Sequence, residues 1–167
     1  MTDTTSSRRQ IFNWLLMALA LCCLLFIFSN SLKDGEESAK QSGAVVELVK
    51  PAVEQILPLL QIEPTHDNVV RFVRKAAHFS EFALLSCLIC FAVRRFTHKK
   101  ALYLTIPMGC AALAAFADEG IQLFSVGRAG SLKDVLIDTS GAAAGLLFAV
   151  ACLWIGKKLI QKKEEIT

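Results

Sequence analysis

Apolar residues occur along this chain in four long blocks that are separated by short charged segments. Each block is about 20 residues long, which is the length of α-helix that crosses the hydrocarbon core of a bilayer. The blocks occupy residues 11–28, 72–93, 101–124 and 135–155. The pattern therefore predicts an all-α fold, a polytopic membrane bundle of four transmembrane helices.

The segment between the first two blocks, residues 36–62, has a different pattern. Its apolar residues recur at mixed three- and four-residue steps with charged residues between them, which is typical of an amphipathic helix. Pro51, Pro58 and Pro64 are expected to break this run into pieces too short to span a bilayer. We therefore expect an outer interfacial amphipathic helix that lies on the bilayer, in preference to a fifth crossing. Thr65 or Asp67 is placed to cap the transmembrane helix that follows.

Composition supports a membrane protein. Hydrophobic residues make up 54% of the 167 residues and charged residues 20%, with a mean hydropathy of +0.48, which excludes a disordered tail and disfavours a soluble enzyme. The net charge of +3 comes from scattered basic residues, so we expect no nucleic-acid partner. With no repeat and no low-complexity linker, the chain is interpreted as a single domain over residues 1–167.

The distribution of basic residues predicts the orientation. Ten of the 18 Lys and Arg residues fall in the two terminal segments and in the loop near residues 94–100. Basic residues favour the cytoplasmic side, and four crossings place both termini on one side. The sequence therefore predicts a multi-pass protein of the cell membrane with cytoplasmic termini, whose segments 29–71 and 125–134 face outward.

Metal and cofactor chemistry receives little support from the sequence. All six cysteines lie in apolar blocks, and no second pair or histidine accompanies Cys87 and Cys90 at the spacing of a zinc site. One histidine with several carboxylates could coordinate a divalent ion, but the nearby basic residues would oppose it. We therefore assign no metal and no cofactor.

Ionisable residues inside the apolar blocks are the main functional signal, because a charge at membrane depth is costly unless it is paired or hydrated. On the second helix, at about 100° per residue, a single stripe carries Arg71, Arg74, His78 and Glu81, all in the outer half. No acid or base lies in the inner half of any crossing.

The third and fourth helices bring polar residues to the same depth. Asp118, Glu119 and Gln122 lie at the outer end of the third helix, Arg128 follows in a glycine-flanked turn, and Asp134 and Asp138 open the fourth helix. Gly141 and Gly145 continue the face of those two acids deeper into the bilayer, which would let a neighbouring backbone approach closely. These positions predict one outward-facing polar cleft between the second, third and fourth helices.

Four strings of the sequence carry a resemblance to a known family. They are FSNSL at residues 28–32, RKAAHFSEF at 74–82, DEGIQLF at 118–124, and GR at 127–128 leading to DTSG at 138–141. In this order, across residues 28–145, they resemble the VanZ-like family. The resemblance implies a small bacterial integral membrane protein, whose namesake is associated with reduced susceptibility to the lipoglycopeptide antibiotic teicoplanin. It implies no particular reaction.

Two sets of residues are candidates for function in the cleft. The acid–base candidates, which would be catalytic in an enzyme, are His78, Glu81, Asp118 and Glu119; the candidate substrate-binding residues are Arg74, Gln122, Arg128, Asp134 and Asp138. An alternative is purely structural, because the acids could pair with the neighbouring basic residues as an ionic lock between helices.

Three functions fit this pattern. The first is an enzyme that acts on an amphiphilic envelope substrate, with His78 and an acid such as Glu81 or Glu119 exchanging a proton. The second is a noncatalytic binder of a membrane lipid, a lipoglycopeptide or a cell-wall precursor, which needs only a cleft with an anion-binding group and apolar walls. A proton-linked transporter is the least favoured, because no relay of ionisable residues crosses the bilayer. The number of chains in the assembly is left open.

Overall fold

The structure, a computed structural model, describes residues 3–125, 128 and 130–166, and this part of the chain contains helices and no strand. Five α-helices follow one another, with a 3₁₀ turn at Leu57–Leu60 after the second. They are α1 (Asp3–Ser31), α2 (Gly35–Ile56), α3 (His66–Phe96), α4 (Lys100–Gln122) and α5 (Leu132–Ile166). The predicted all-α fold is confirmed.

Four of the helices are long and apolar enough to cross a membrane. The spans are Gln10–Ser31, His66–Phe96, Lys100–Gln122 and Leu132–Glu164. Each contains or closely matches one predicted block, and α2 is not among them. The chain is therefore a four-span helical membrane protein with one additional helix between the first two spans.

The bundle is built around α3 and α4, each of which packs against both α1 and α5. The main core lies where these helices meet and consists of Ile27, Phe82, Leu85, Ala111, Ala114, Ala115, Val135 and Ala142. Small alanines on α4 and α5 bring the helices close together. Large apolar side chains such as Leu113, Phe116 and Leu147 are exposed on the outside of the bundle, where lipid would cover them.

Two glycines of α5 make the contact with α3 unusually close. A Cβ atom added to Gly141 would lie 2.3 Å from the carbonyl oxygen of Phe79, and one added to Gly145 would lie 1.9 Å from that of Ala83. Only a residue without a side chain fits at these two positions. The predicted close backbone approach beneath the acids of α5 is confirmed.

Helix α2 and the 3₁₀ turn after it pack against the beginning of α3. Buried Val46 and Val53 of α2 and Leu57 of the turn meet Val69 and Val73 of α3. The prediction that prolines would divide this segment is wrong at one position, because α2 continues through Pro51. A proline ring disturbs the preceding turn most, and the packing of residues on both sides against α3 stabilises the helix there. That α2 lies on the bilayer remains a prediction.

One end of the bundle, here called the cleft end, holds Ser31, His66, Gln122 and Leu132, where two spans end and two begin. The side chain of Thr65 caps α3 by accepting a hydrogen bond from the backbone N–H of Asn68 at 3.4 Å, as predicted for that residue.

Candidate functional site

A cavity of about 460 Å³ opens at the cleft end between α3, α4 and α5. We call it the polar cleft. It is lined by Arg71, Arg74, Lys75, His78, Glu119, Gln122, Arg128, Asp134, Ile137 and Asp138. Seven of the nine predicted site residues are in this lining.

The remaining two predicted residues lie next to the polar cleft. Glu81 lines a second cavity of about 290 Å³ on the other side of Arg74 and His78, and Asp118 is completely buried with its Oδ2 atom 3.8 Å from Nδ1 of His78. The structure therefore brings all nine predicted residues to one place.

His78 lies between two carboxylates. Its Nδ1 atom is 3.9 Å from Oε2 of Glu81 and 3.8 Å from Oδ2 of Asp118, both beyond hydrogen-bond distance. In the described part of the chain, Nδ1 of His78, Oε2 of Glu81 and Oδ1 of Asp118 are buried without a hydrogen-bond partner. Buried polar atoms of this kind are uncommon in native proteins and mark a place where a proton, an ion or a ligand atom would be stabilised.

Asp138 joins this group from α5. One ligand atom each from His78, Asp118 and Asp138 lies within 4.8 Å of the other two, and Asp138 is only 2% exposed. We call the three side chains the cleft floor. The sequence assigned no metal here because basic residues are nearby; the geometry brings together one histidine and two aspartates, which are both common metal-binding residue types.

Helix α1 supplies contacts that the sequence argument did not assign. Asn30 donates a hydrogen bond from Nδ2 to Oε1 of Glu81 at 3.4 Å, and Gln122 donates from Nε2 to Oδ2 of Asp118 at 2.8 Å and to Oγ of buried Ser31 at 3.5 Å. Asn30 and Ser31 belong to the first string of the family resemblance, and that string was the signal for them. The site therefore involves four transmembrane helices.

The acids nearer the mouth of the cleft are satisfied locally. Nζ of Lys75 lies 2.5 Å from Oδ1 of Asp134, and Oε2 of Glu119 accepts a hydrogen bond from the backbone N–H of Ser131 at 2.6 Å. The alternative of an ionic lock accounts for only one of its proposed contacts. Of the described cleft acids Asp118, Glu119, Asp134 and Asp138, only Asp134 has a lysine or arginine within 4.0 Å, which is Lys75.

Arg128 is one of two arginines that line both cavities, the other being Arg74. Its Nε and Nη1 atoms are buried, and no acceptor among the described residues pairs with them. Burial lowers the pKa of Arg128, and the positive charge of Arg74 lowers it further, while Asp118 and Glu119 act in the opposite direction. An anion placed between Arg128 and Arg74 would satisfy the free donors and relieve the repulsion.

The two cavities together have an amphiphilic lining. Arg74, His78 and Arg128 contribute to both. The second cavity adds the apolar residues Phe26, Val45, Val73 and Ala77 from α1, α2 and α3, for which it is here called the apolar side pocket, together with the polar residues Asn30, Ser38 and Glu81. A molecule with a charged head and an apolar tail would match the two halves.

Comparison with protein families agrees with the motifs. The model of the family described as VanZ/LLP1 matches residues 14–154, which is most of the chain. Comparison with curated proteins and with solved structures found no match. The matched region covers the second and third spans completely, most of the first and fourth, and every residue of the polar cleft and the cleft floor.

Proposed function

Because the chain belongs to the VanZ/LLP1 family of membrane proteins, we propose that it binds an amphiphilic molecule of the cell envelope by its anionic headgroup. The headgroup occupies the polar cleft, and an apolar chain follows the apolar side pocket towards lipid. Membrane lipids with phosphate headgroups and lipid-tailed envelope precursors or lipoglycopeptides all have this chemistry.

One observation carries the proposal. Arg128 has two buried donor nitrogens with no acceptor among the described residues, and the second guanidinium, that of Arg74, lines the same two cavities. Arginine forks match phosphate and carboxylate groups, and charge-assisted hydrogen bonds to them are about twice as strong as neutral ones. An anionic headgroup supplies the missing acceptors.

The apolar side pocket explains why the ligand is an amphiphile rather than a free anion. Phe26 of α1 and Val45 of α2 are exposed apolar side chains in its lining. A free phosphate would use the arginines and leave this apolar surface uncovered. An acyl chain would bury it, at about 25 cal/mol for each Å² of apolar area removed from water.

The binding experiment uses protein in nanodiscs of phosphatidylcholine to which phosphatidic acid or phosphatidylglycerol is added, with bound lipid counted by native mass spectrometry. Arg128→Gln is expected to weaken binding about tenfold or more, because a charge-assisted hydrogen bond contributes about 1.5–3 kcal/mol. Arg8→Gln removes an exposed arginine far from the cleft and serves as the matched control. Equal lipid binding by Arg128→Gln and Arg8→Gln would contradict the proposal, and binding of inorganic phosphate as tight as that of the lipid would contradict the role of the apolar side pocket.

In the cell we place the cleft on the outer side of the cell membrane, with both termini cytoplasmic, because the basic residues favour that orientation. In this position the protein competes for lipoglycopeptides or their envelope targets and lowers susceptibility to teicoplanin. The minimum inhibitory concentration of teicoplanin should rise on expression of the wild type and rise less with Arg128→Gln. Reporter tags that place the N-terminus outside would refute the orientation.

A catalytic role is the second candidate, favoured by the position of His78 between Glu81 and Asp118. A histidine beside two acids can accept and donate a proton at a bound headgroup. Chemical change of an envelope lipid should then be lost in His78→Ala and Asp118→Ala and retained in Cys90→Ala. Equal turnover in all three variants would reject this candidate.

A proton-linked transporter has no comparable support. In the described part of the chain, Ser86 is the buried polar residue that lies deeper in the bundle than the cleft. A single hydroxyl provides no chain of ionisable groups from the cleft to the other side.

A further inference from the structure

The cleft floor has an unbalanced charge. Glu81, Asp118 and Asp138 approach one another around His78, and among the described residues no lysine or arginine lies within 4.0 Å of any of these three carboxylates. Asp118 is 0% exposed and Asp138 is 2% exposed. Buried carboxylates are usually paired with a cation, coordinate a metal or hold a proton.

The distances between the ligand atoms of the cleft floor favour a bound metal ion. The ligand atoms of His78, Asp118 and Asp138 lie within 4.8 Å of one another. Ligand atoms around a tetrahedral Zn²⁺ are about 3.4 Å apart, since Zn–N and Zn–O bonds are about 2.0–2.2 Å long. His78 Nδ1 and Asp118 Oδ2 are 3.8 Å apart, so the two side chains lie close enough to contact one ion.

The free atoms in this cluster are an independent sign of a ligand. Asp118 is completely buried, and its Oδ1 atom has no hydrogen-bond partner, while Nδ1 of His78 is buried and unpartnered as well. Gln122 holds the other oxygen of Asp118 at 2.8 Å. An orienting hydrogen bond to a ligating carboxylate is a common feature of metal sites.

Three neighbouring positive charges, those of Arg74, Lys75 and Arg128, oppose a cation. The positive charges of Arg74 on α3 and Arg128 in the loop act electrostatically on His78. Lys75 forms an ion pair with Asp134. Arg74 and Lys75 precede His78 on α3 and are therefore nearer its beginning, towards the mouth. Glu81 follows His78, and Asp138 lies one turn below Asp134, so the acids predominate around the cleft floor.

From this arrangement we propose that His78, Asp118 and Asp138 bind one Zn²⁺ ion at the floor of the polar cleft. Three protein ligands leave a fourth position open towards the cleft, where water or a headgroup oxygen can bind. The site differs from the proposed headgroup site in its ligands and in the sign of the charge it attracts. It therefore does not depend on the proposed function.

The test uses the full chain, purified with a tag that contains no histidine and reconstituted in phosphatidylcholine nanodiscs without anionic lipid. After chelator treatment the protein is equilibrated with Zn²⁺, and retained zinc is measured by elemental mass spectrometry together with the Zn²⁺-dependent shift in melting temperature. We expect one zinc per chain in the wild type. Asp118→Asn and Asp138→Asn should lower the affinity about tenfold or more, because each replaces an anionic ligand by a neutral amide of the same shape.

Asp67→Asn is the matched control, since it makes the same substitution at an exposed acid at the beginning of α3 that lines neither cavity. It should retain zinc like the wild type. Absence of stoichiometric zinc in the wild type would overturn the proposal, as would unchanged binding in both Asp118→Asn and Asp138→Asn. Equal loss in Asp67→Asn would also overturn it, because binding would then reflect general negative charge. If Asp118→Asn does not fold, judged by size-exclusion elution and helical circular dichroism, the decision rests on Asp138→Asn and the wild type.

Discussion

Replacement of Gly145 by alanine tests the packing of α5 against α3 most directly. This glycine lies on α5 in the middle of its contact with α3, and an added Cβ atom would be 1.9 Å from the carbonyl oxygen of Ala83. Ordinary van der Waals contact begins at about 3.4 Å, so the two helices would have to separate by about 1.5 Å at this point. The opposing atom belongs to a backbone and cannot rotate away.

The magnitude follows from two opposing effects. Alanine stabilises an exposed helical position relative to glycine by up to about 1 kcal/mol. Overpacking a close contact typically costs about 1–3 kcal/mol, and a clash with backbone falls at the upper end or beyond it. We therefore expect Gly145→Ala to lower the free energy of unfolding by about 2 kcal/mol. Gly141→Ala should have a similar but smaller effect, because its Cβ atom would lie 2.3 Å from the carbonyl oxygen of Phe79.

The assay is equilibrium unfolding of the purified protein in mixed micelles, followed by circular dichroism. Gly156→Ala on the same helix is the control, since nothing lies within 4 Å of a Cβ atom there. It should be as stable as the wild type or slightly more stable. A Gly145→Ala protein that matches Gly156→Ala in stability would show that α3 and α5 do not approach as described, and the position of Asp138 relative to His78 would be wrong with it.

Three further outcomes test other parts of the structure. Leu57→Ala should destabilise the packing of α2 by about 2–5 kcal/mol and make α2 sensitive to protease. Leu59→Ala should do neither, because Leu57 is 0% exposed and Leu59 is 82% exposed. Equal cleavage of the two variants would refute the packing of α2 on α3. Thr65→Ala should lower the free energy of unfolding, measured by thermal unfolding, by about 1 kcal/mol because α3 loses its N-terminal cap. An unchanged free energy of unfolding would show that the cap does not stabilise the protein. Asp134→Asn should lower the free energy of unfolding by no more than about 1 kcal/mol in the same assay, because its ion pair with Lys75 is partly exposed. A loss several times larger would show that the ion pair is a main source of stability for the bundle.

The sequence predicted the spans and the depth of the polar residues well because both follow from short-range patterns. A run of about 20 apolar residues has few alternatives to a membrane helix. The positions of His78 and Glu81 on one stripe of α3 follow from helix periodicity alone. The close approach at Gly141 and Gly145 was predictable because small residues at four-residue spacing are typical of tight helix contacts.

The parts that the sequence could not predict depend on which helices meet. Nothing in the local pattern indicates that Asn30 of α1 reaches Glu81 of α3, a contact over 51 positions. Similarly, the continuation of α2 through Pro51 depends on packing against α3, which a propensity argument does not include. The sequence placed His78, Asp118 and Asp138 in one cleft but could not show how closely they approach, because the three side chains come from three different helices.

The order of charges along α3 links the two proposed sites. From the cleft end inward, one stripe of this helix carries Arg71, Arg74, His78 and Glu81, over a rise of about 15 Å at 1.5 Å per residue. An anion that enters the cleft is attracted by the two arginines and then repelled by the acids below His78, so it stops at the mouth. A cation experiences the opposite field and is stable only at the floor. Each proposed ligand therefore has one place in the cleft. If Asp138→Asn abolished lipid binding and left zinc binding unchanged, this separation of charge would not operate.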